Sequence, residues 1–383
     1  MGEGQLAVSP HNGAGFPPWM DLHAEGPLDV GSIRQVLVVR TDHLGDMLLS
    51  TPFIETLRRN LPRSRVTALV TPYVEPALAR NPSIDEIVVL DTDRASEART
   101  VVLRQLRARG FDLCVALSPT MRTYAIARAV RARRRAGYVY SRRWVPRALS
   151  PVFLTHRAVF HIDALVERGQ PVPHEVEQTL WFARALGFAA DPVPLRVYPE
   201  EHQVRAAWSD LGNEDFAPTP DVDSNLACRR DVPWLAVQLG AAWLKPPWSL
   251  GHFVDMLRAL RHKIPETRLV VLYGPGETTA GAELAGAGIG PDIVIRGNLS
   301  FSRWAGIIGG ARILISPDTG SVHVAAAMRT PVVVAYEDAT FSLCSQQWAP
   351  WMVANRKVSK AYPRNDTIPR LVAAAADLWR PGR

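Results

Sequence analysis

The run VLVVRTDHLGDMLLSTP at residues 36–52 decides the start of the fold. Val36–Val39 is apolar and β-branched but too short for a helix, which predicts a buried strand of a parallel sheet. After Gly45 and Asp46 the apolar residues recur at helical spacing, and Pro52 either kinks this helix or starts a new one. Asp46 therefore lies where strand gives way to helix, at the edge where α/β sheets bind ligands. The alternative interpretation of Asp46 is a helix-capping acid.

The composition indicates a two-domain protein with anionic partners. A chain of 383 residues is long enough for two α/β domains with their own cores. The net charge of +7 and the pI of about 9.6 favour a sugar nucleotide, an acidic glycolipid or an anionic membrane surface. The sequence has no zinc-finger spacing and no RNA-recognition signature, so we expect no nucleic-acid partner.

The cysteines and the chain start predict a cytoplasmic protein. Cys114, Cys228 and Cys344 are far apart and odd in number, which argues against a disulfide framework and fits a reducing compartment. No window holds enough consecutive apolar residues to span a bilayer. Residues 1–4 are acidic and are followed by Pro and Gly rather than by an apolar core, so we expect no signal peptide.

Two series of alternating strands and helices predict two doubly wound parallel sheets. A segment rich in Pro, Asp and Asn separates the two series and predicts a linker with one short helix. The expected organisation is a flexible N-terminal extension (1–32), a first Rossmann-like domain (33–190), the linker (191–231), a second Rossmann-like domain (232–345), and a C-terminal segment (346–383).

Two motifs carry a resemblance to a known family. The pattern R-x4-G-D-x-L-x2-T-P at residues 40–52 closely resembles the opening motif of the glycosyltransferase family 9 heptosyltransferases, which add heptose to lipopolysaccharide core. The segment SPDTGSVHVAAA at residues 316–327 resembles the family's donor-binding signature. The resemblance covers residues 33–336 and implies the α/β GT-B fold, with two Rossmann-like domains facing each other across a cleft. It also implies that the domain 33–190 lies on the acceptor side and that the domain 232–345 binds the nucleotide sugar. The segment 346–383 would pack back on the first domain.

The resemblance implies roles for the residues of both motifs. Asp46 would be the catalytic base, because a carboxylate within hydrogen-bond reach can take the proton of an acceptor hydroxyl. Thr319, Gly320 and Ser321 follow a strand and open a helix, so their amides can face a diphosphate with the helix dipole behind them. Asp318 would bind the donor sugar rather than the phosphates, which would repel it.

The histidine of the second motif has two interpretations of similar weight. His323 belongs to the family signature and would contact the donor. Alternatively, it is a buried histidine that bonds to backbone.

Further donor-binding residues are expected between the two motifs. The segment from Gly240 to Trp248 resembles a family segment whose lysine, here Lys245, binds the donor, and a flexible ammonium suits a leaving phosphate. The chain departs from the family in two ways: the spacing from Lys245 to Trp248 is one residue longer, and Ala242 replaces a common Ser or Thr. The alternative for Lys245 is a surface lysine beside prolines.

Two weaker matches complete the expected donor site. Glu277 follows a strand in a Gly-Pro-Gly turn and resembles the acid that binds the nucleotide ribose. Leu299 matches a family position whose backbone meets the base.

A basic stretch in the first series has two interpretations. It contains Arg133, Arg134, Arg135, Arg142 and Arg143. It is either a solvated helix end whose cations favour the C-terminal dipole, or a docking surface for an anionic acceptor or lipid headgroups.

Together these features predict an inverting glycosyltransferase that needs no metal and no cofactor. The expected donor is ADP-heptose and the expected acceptor a lipopolysaccharide core or related glycan, at the cytoplasmic face of the inner membrane with possible peripheral contact. One alternative is an enzyme of the same fold with another nucleotide sugar or a small-molecule acceptor. The other alternative is a non-catalytic sugar-nucleotide-binding module.

Overall fold

The computed structural model describes residues 15–91, 96–212, 219–220, 226–227, 234–290, 292–361 and 366–379. The strands in chain order are β1 (Met20–Ala24), β2 (Gln35–Val39), β3 (Arg65–Val70), β4 (Glu86–Val89), β5 (Leu113–Ala116), β6 (Arg134–Tyr140), β7 (His156–Phe160), β8 (Thr219–Pro220), β9 (Leu226–Ala227), β10 (Trp234–Leu239), β11 (Arg268–Tyr273), β12 (Ile293–Gly297), β13 (Ile313–Pro317), β14 (Val332–Glu337) and β15 (Asn355–Lys360).

The helices alternate with these strands. They are α1 (Leu44–Leu49), α2 (Thr51–Asn60), α3 (Glu75–Leu78), α4 (Ser96–Ala108), α5 (Met121–Ala129), α6 (Trp144–Phe153), α7 (Ile162–Glu167), α8 (Glu175–Ala185), α9 (Glu201–Ser209), α10 (Leu250–Lys263), α11 (Thr278–Gly286), α12 (Phe301–Gly310), α13 (Gly320–Ala327), α14 (Phe341–Gln347) and α15 (Ile368–Trp379).

The chain divides into two compact units. The first comprises Met1–Asp42, Pro52–Pro72 and Pro82–Pro192, and the second comprises His43–Thr51, Tyr73–Asn81 and Val193–Arg383. Within the described residues, the first unit carries a sheet in the order β1-β7-β6-β5-β2-β3-β4 and the second carries a sheet in the order β12-β11-β10-β13-β14-β15.

Both sheets have the Rossmann strand order. Every pairing along the second sheet is parallel, and so is every pairing along the first except that of β1 with β7. Numbered from its own first parallel strand, each sheet reads 3-2-1-4-5-6, the doubly wound order of dinucleotide-binding domains. The predicted pair of Rossmann-like domains is therefore confirmed.

The first sheet is built on the strand that opened the sequence. The side chains of Val36–Val39 are all buried, as expected for a central parallel strand covered on both faces. Leu37 and Val39 contribute to the same apolar core cluster as Cys114 and Phe111, and Cys114 serves there as a small core residue.

The expected flexible extension is wrong for its described part. β1 pairs antiparallel with β7 along its whole length. Beside it, Trp19 is buried and packs edge-on against Phe160, with ring centroids 5.6 Å apart. Burial of this indole and the main-chain pairing fix the segment. Residues 1–14 lie outside the described residues.

The boundaries expected around the second domain also change. α9, placed in the linker by the sequence, belongs to the second unit: its Trp208 is buried and donates from Nε1 to the Gly306 carbonyl of α12 (2.8 Å). In α15, Leu371 and Ala375 are buried in the core cluster of the second sheet. The described residues of the segment 346–383 thus cluster with the second unit, and the expected packing of this segment on the first domain stays a prediction.

The basic stretch begins at a helix end, with Arg128 in the last turn of α5, and continues into a strand. Arg134 and Arg135 lie in β6, whose backbone pairs with β5 and β7. The helix before it, α5, ends earlier, at Ala129. The helix-end interpretation is therefore wrong for these two arginines, because their backbones complete a central part of the sheet.

Candidate active site

Asp46 lies in the first turn of α1, directly after the carboxyl end of β2. The helix is short: Ser50 follows it, its hydroxyl donating to the Asp46 carbonyl (2.9 Å), and α2 begins at Thr51. Pro52 therefore starts a new helix rather than kinking an old one, as one of the two alternatives predicted. The segment that carries Asp46 belongs to the second unit.

α1 packs directly on α13, the helix of the second motif. A Cβ placed on Gly45 would lie 2.7 Å from His323 Cδ2 and 3.6 Å from Gly320 Cα. In return, a Cβ on Gly320 would lie 3.2 Å from Leu44 Cδ2. The contact is possible because each helix presents a glycine where the other approaches. The Gly-Asp pair of the first motif is thereby held beside the opening turn of the second.

The N-terminus of α13 is suited to an anion. Thr319 is its N-cap residue, and its side chain makes no capping hydrogen bond to the helix. Its hydroxyl instead lies 2.8 Å from the Ser321 hydroxyl, which lies 2.7 Å from the Ser316 hydroxyl. Because the hydroxyls bond one another, they leave the amides of Gly320 and Ser321 uncapped with the helix dipole behind them.

Asp318 immediately precedes this turn. Burial raises the pKa of its carboxyl to about 7, and the charge of Asp46 adds to the effect. The two acidic groups therefore lie within electrostatic reach of each other, as like charges must for one to raise the pKa of the other. The Asp318 carboxyl changes charge near neutral pH.

His323 is the buried contact between the two motifs. Its side chain is 4 % exposed, and burial lowers its pKa to about 4, so the imidazole is neutral at pH 7. Its Nδ1 has no hydrogen-bond partner within the part of the chain that the structure describes. Its ring instead supports Gly45 by packing.

The segment from Gly240 to Trp248, here called the Lys245 segment, lies against the start of α13. A Cβ on Gly240 would lie 3.4 Å from Pro317 Cγ and 3.8 Å from Thr319 Cγ2. This proximity follows from topology, since Gly240 follows β10 and Thr319 follows β13, and these strands are parallel neighbours. They flank the point where the strand order reverses, which is where open α/β sheets bind ligands. Lys245 is exposed in this segment, after the 3₁₀ turn Ala241–Leu244.

Glu277 bonds to the same segment. Its carboxylate accepts the Ala241 amide (3.1 Å) at Oε1 and the Gly274 amide (3.3 Å) at Oε2. It borders a depression of about 310 Å³ that is also lined by Leu244, Leu250 and Gly276. The structure thus brings Glu277 to the Lys245 segment.

Leu299 follows the neighbouring strand. It lies two residues after β12, the edge strand of the sheet, and is half-buried. β12 pairs in parallel with β11, the strand that Glu277 follows.

Sequence reasoning missed Lys360, at the end of β15. Its side chain is 5 % exposed, and its Nζ donates to the carbonyl of Ala242 and to Glu337 Oε1 (2.6 Å). Nζ also lies 6.0 Å from the centre of the buried Trp248 ring. Lys360 thereby joins both ends of the Lys245 segment to the sheet. A lysine in a polar C-terminal strand gives no local sign of burial.

Arg40, the first residue of the first motif, is a buried anchor in the first unit. It donates from Nη1 to the Leu117 carbonyl (2.6 Å) and from Nη2 to Glu175 Oε1 (3.1 Å). Its Nε bonds Asp42 Oδ1 (2.8 Å). This network fixes the end of β2, and no sequence pattern points to Glu175 as a partner.

The expected surface arginines all lie in the first unit. Arg135 donates to the carbonyls of Phe153 (2.7 Å) and Ala132 (3.0 Å), and Arg143 donates to the carbonyl of Pro119 (3.0 Å). Arg142 pairs loosely with Asp163, at 4.0 Å, and Arg133 is exposed. Only part of the stretch is therefore available to an external anion.

The described part of the chain contains neither a metal-binding cluster nor a membrane-spanning helix. No cluster of three or more His, Cys, Asp or Glu side chains there could hold a metal ion. No helix there is both long and apolar enough to cross a membrane.

The model of glycosyltransferase family 9 (heptosyltransferase) matches residues 99–369, which include the second motif. Lipopolysaccharide heptosyltransferase 3 of Escherichia coli K12 is 24% identical over 318 residues, covering 80% of this chain and 82% of that protein. A solved family 9 structure from Veillonella parvula has a TM-score of 0.71 at 18% identity, covering 90% of this chain and 97% of that one. The ADP-heptose heptosyltransferase II structure of E. coli has a TM-score of 0.65 at 17% identity, covering 90% of this chain and 98% of that one. These likenesses confirm the predicted GT-B fold.

Proposed function

The chain belongs to glycosyltransferase family 9, and from this premise we propose that it transfers a heptose from ADP-heptose to a lipopolysaccharide core or related glycan, with inversion and without a metal. The donor and acceptor classes come from its relatives, which are named as lipopolysaccharide and ADP-heptose heptosyltransferases.

The observation that carries the proposal is the contact of the two motifs. Gly45 lies against His323 and Gly320, so the Asp46 carboxyl and the uncapped amides of α13 belong to one small region of one unit. A base and an anion site in one region are what a displacement on a sugar diphosphate needs: one takes a proton and the other stabilises the departing phosphate.

The donor side divides into three tasks. The amides of Gly320 and Ser321 would hold the diphosphate, with Lys245 supplying a mobile positive charge. Asp318 would accept hydroxyl groups of the sugar. Glu277, already held by the Ala241 amide, would accept the ribose hydroxyls with its remaining lone pairs.

The proposal for the acceptor rests on the positive charge of exposed arginines. An anionic glycolipid would be met by exposed arginines of the first unit, Arg133 and Arg142 among them, at the cytoplasmic face of the inner membrane. Asp46 would then deprotonate the acceptor hydroxyl as it attacks the anomeric carbon, in a single displacement that inverts the configuration.

A donor panel tests this proposal. ADP-heptose, ADP, UDP-glucose and UDP-N-acetylglucosamine are titrated into the full chain by calorimetry, and glycan products are followed by mass spectrometry. We expect ADP-heptose to bind most tightly and to yield a heptosylated product. A preference for another nucleotide sugar would contradict the donor assignment, and Ala242, in place of a Ser or Thr, is the feature that would explain it.

Product formation separates catalysis from mere binding. A tight complex with ADP-heptose but no product with any lipopolysaccharide core fragment would contradict enzymatic transfer and favour a binding module.

A further inference from the structure

Helix α6 exposes several large apolar side chains that an ordinary surface helix would bury. Its outward face carries apolar side chains: Trp144 is 77 % exposed, Val152 57 % and Leu149 44 %. Its fully buried residue is the polar Ser150, whose hydroxyl donates to the Arg147 carbonyl (3.1 Å). A helix that rests on a soluble domain normally buries its apolar stripe, so this exposure has to be explained by something other than folding.

The apolar residues form one continuous stripe. Trp144, Ala148 and Val152 are spaced four apart, which places them along one line of the helix, and all three are exposed. Leu149 widens the stripe towards the C-terminal half. Phe153 is half-buried and packs against the core of the first unit, which anchors the helix to the domain.

Cations border this stripe. Arg142, Arg143 and Arg147 are exposed at its N-terminal end and flank. Burial lowers the pKa of the Arg157 guanidinium, and the nearby charge of Arg147 lowers it further. Positive groups thus accumulate around α6.

Acidic residues near α6 compensate little of this charge. Arg142 has Asp163 and Glu167 at 4.0 and 3.8 Å. Both distances lie at or near the limit of an ion pair, and exposed pairs of this kind are weak. The surface around the stripe is therefore positive.

We infer that α6 is a membrane-docking helix, whose apolar stripe enters the interface of a bilayer while its arginines bind anionic lipid headgroups. A tryptophan at the boundary, aliphatic side chains below it and flanking arginines are the combination that interfacial helices use. The positive surface selects anionic lipid over a neutral protein surface. This inference does not depend on the proposed sugar transfer.

Vesicle binding tests it without any substrate. The full chain is sedimented with vesicles of phosphatidylcholine alone or mixed with phosphatidylglycerol, at about 0.1 M and about 1 M salt. We expect binding to the anionic vesicles at low salt, weakened by salt and by omission of phosphatidylglycerol. A chain that stays in the supernatant with anionic vesicles at low salt would overturn the inference.

Variants locate the docking face. W144S/V152S should lower the partition coefficient by at least about tenfold, through lost apolar insertion. R147Q should lower it by roughly fivefold, the effect of one cation at an anionic surface. The matched control is V101S/R104Q on α4, which removes an exposed valine and an exposed arginine from another helix of the same unit and should bind as the wild type does.

Two outcomes would overturn the placement on α6. One is an equal loss of vesicle binding in the α4 control, which would show that binding depends on net charge and general hydrophobicity rather than on α6. The other is a stable dimer by sedimentation equilibrium that W144S/V152S dissociates, which would make the stripe a contact between copies. Circular dichroism of each variant verifies that its fold is intact.

Discussion

Gly45 and His323 contact each other so closely that a methyl group on Gly45 would lie 2.7 Å from the His323 ring. Real Cβ atoms do not approach ring carbons to this distance, so the glycine is required by its neighbour. The contact holds the helix that carries Asp46 against the helix that opens with Gly320. We regard this contact as the framework of the transfer site.

Gly45→Ala should therefore destabilise the second unit by about 1–3 kcal/mol, because the buried ring has to move to admit the methyl group. Urea unfolding measures the change. Gly286→Ala is the matched control: it is also a helical glycine, but nothing lies within 4 Å of its Cβ position. The control should be neutral or stabilising by up to about 1 kcal/mol. Equal stability of both variants would contradict the framework role.

Asp318→Asn should change how stability depends on pH. Because burial and the charge of Asp46 raise the Asp318 pKa to about 7, the folded protein keeps a proton that the unfolded chain releases near pH 4. Stability should therefore fall as pH rises from about 4 to 7, by at most about 1.4 kcal/mol per pH unit, and level off above 7.

The Asp318→Asn variant should lack the part of this fall in stability that comes from Asp318. Unfolding midpoints between about pH 5 and pH 8 for the wild type, Asp318→Asn and the control Asp255→Asn measure it. Parallel curves for wild type and Asp318→Asn would show that Asp318 has an ordinary pKa.

Lys245→Ala should weaken ADP binding by roughly tenfold to a hundredfold, the loss of one charged phosphate contact. Calorimetry gives the dissociation constant. Lys263→Ala, at the C-terminal end of α10 in the same unit, is the control and should leave ADP affinity unchanged. An unchanged affinity in Lys245→Ala would remove this residue from the donor site.

Lys360→Met should weaken ADP binding by acting through the Lys245 segment. The buried ammonium bonds the Ala242 carbonyl, so its removal frees the 3₁₀ turn before Lys245. Lys357→Met on the same strand is exposed and serves as the control. If Lys360 acts by positioning Lys245, the double variant K245A/K360M should bind ADP little worse than K245A alone. Fully additive losses would mean that Lys360 acts independently of Lys245.

Much of the fold could be predicted from local patterns. The apolar runs at β2, β3 and β5 and the helical periodicities between them specify parallel strands and covering helices, because both faces of such strands are buried. The junctions that carry Asp46 and Gly320 were predicted for the same reason: each polar motif directly follows a buried strand.

Other parts depend on contacts distant in sequence. The segment of β1 alternates polar and apolar residues, and its pairing with β7 decides its structure. α15 is amphipathic in sequence, but only the folded chain shows that Leu371 and Ala375 face the second core. The burial of Lys360 depends on Glu337 and Ala242, and no sequence pattern links these three residues.

The central claim is that Asp46 is the base of a sugar transfer whose donor is bound independently of it. The decisive measurement is the single-turnover rate of Asp46→Asn, with ADP-heptose affinity by calorimetry on the same preparation and Asp255→Asn as the control. The account predicts a rate lowered by about 10²–10⁴ with donor affinity within about threefold of wild type. A rate comparable to that of the wild type would contradict it.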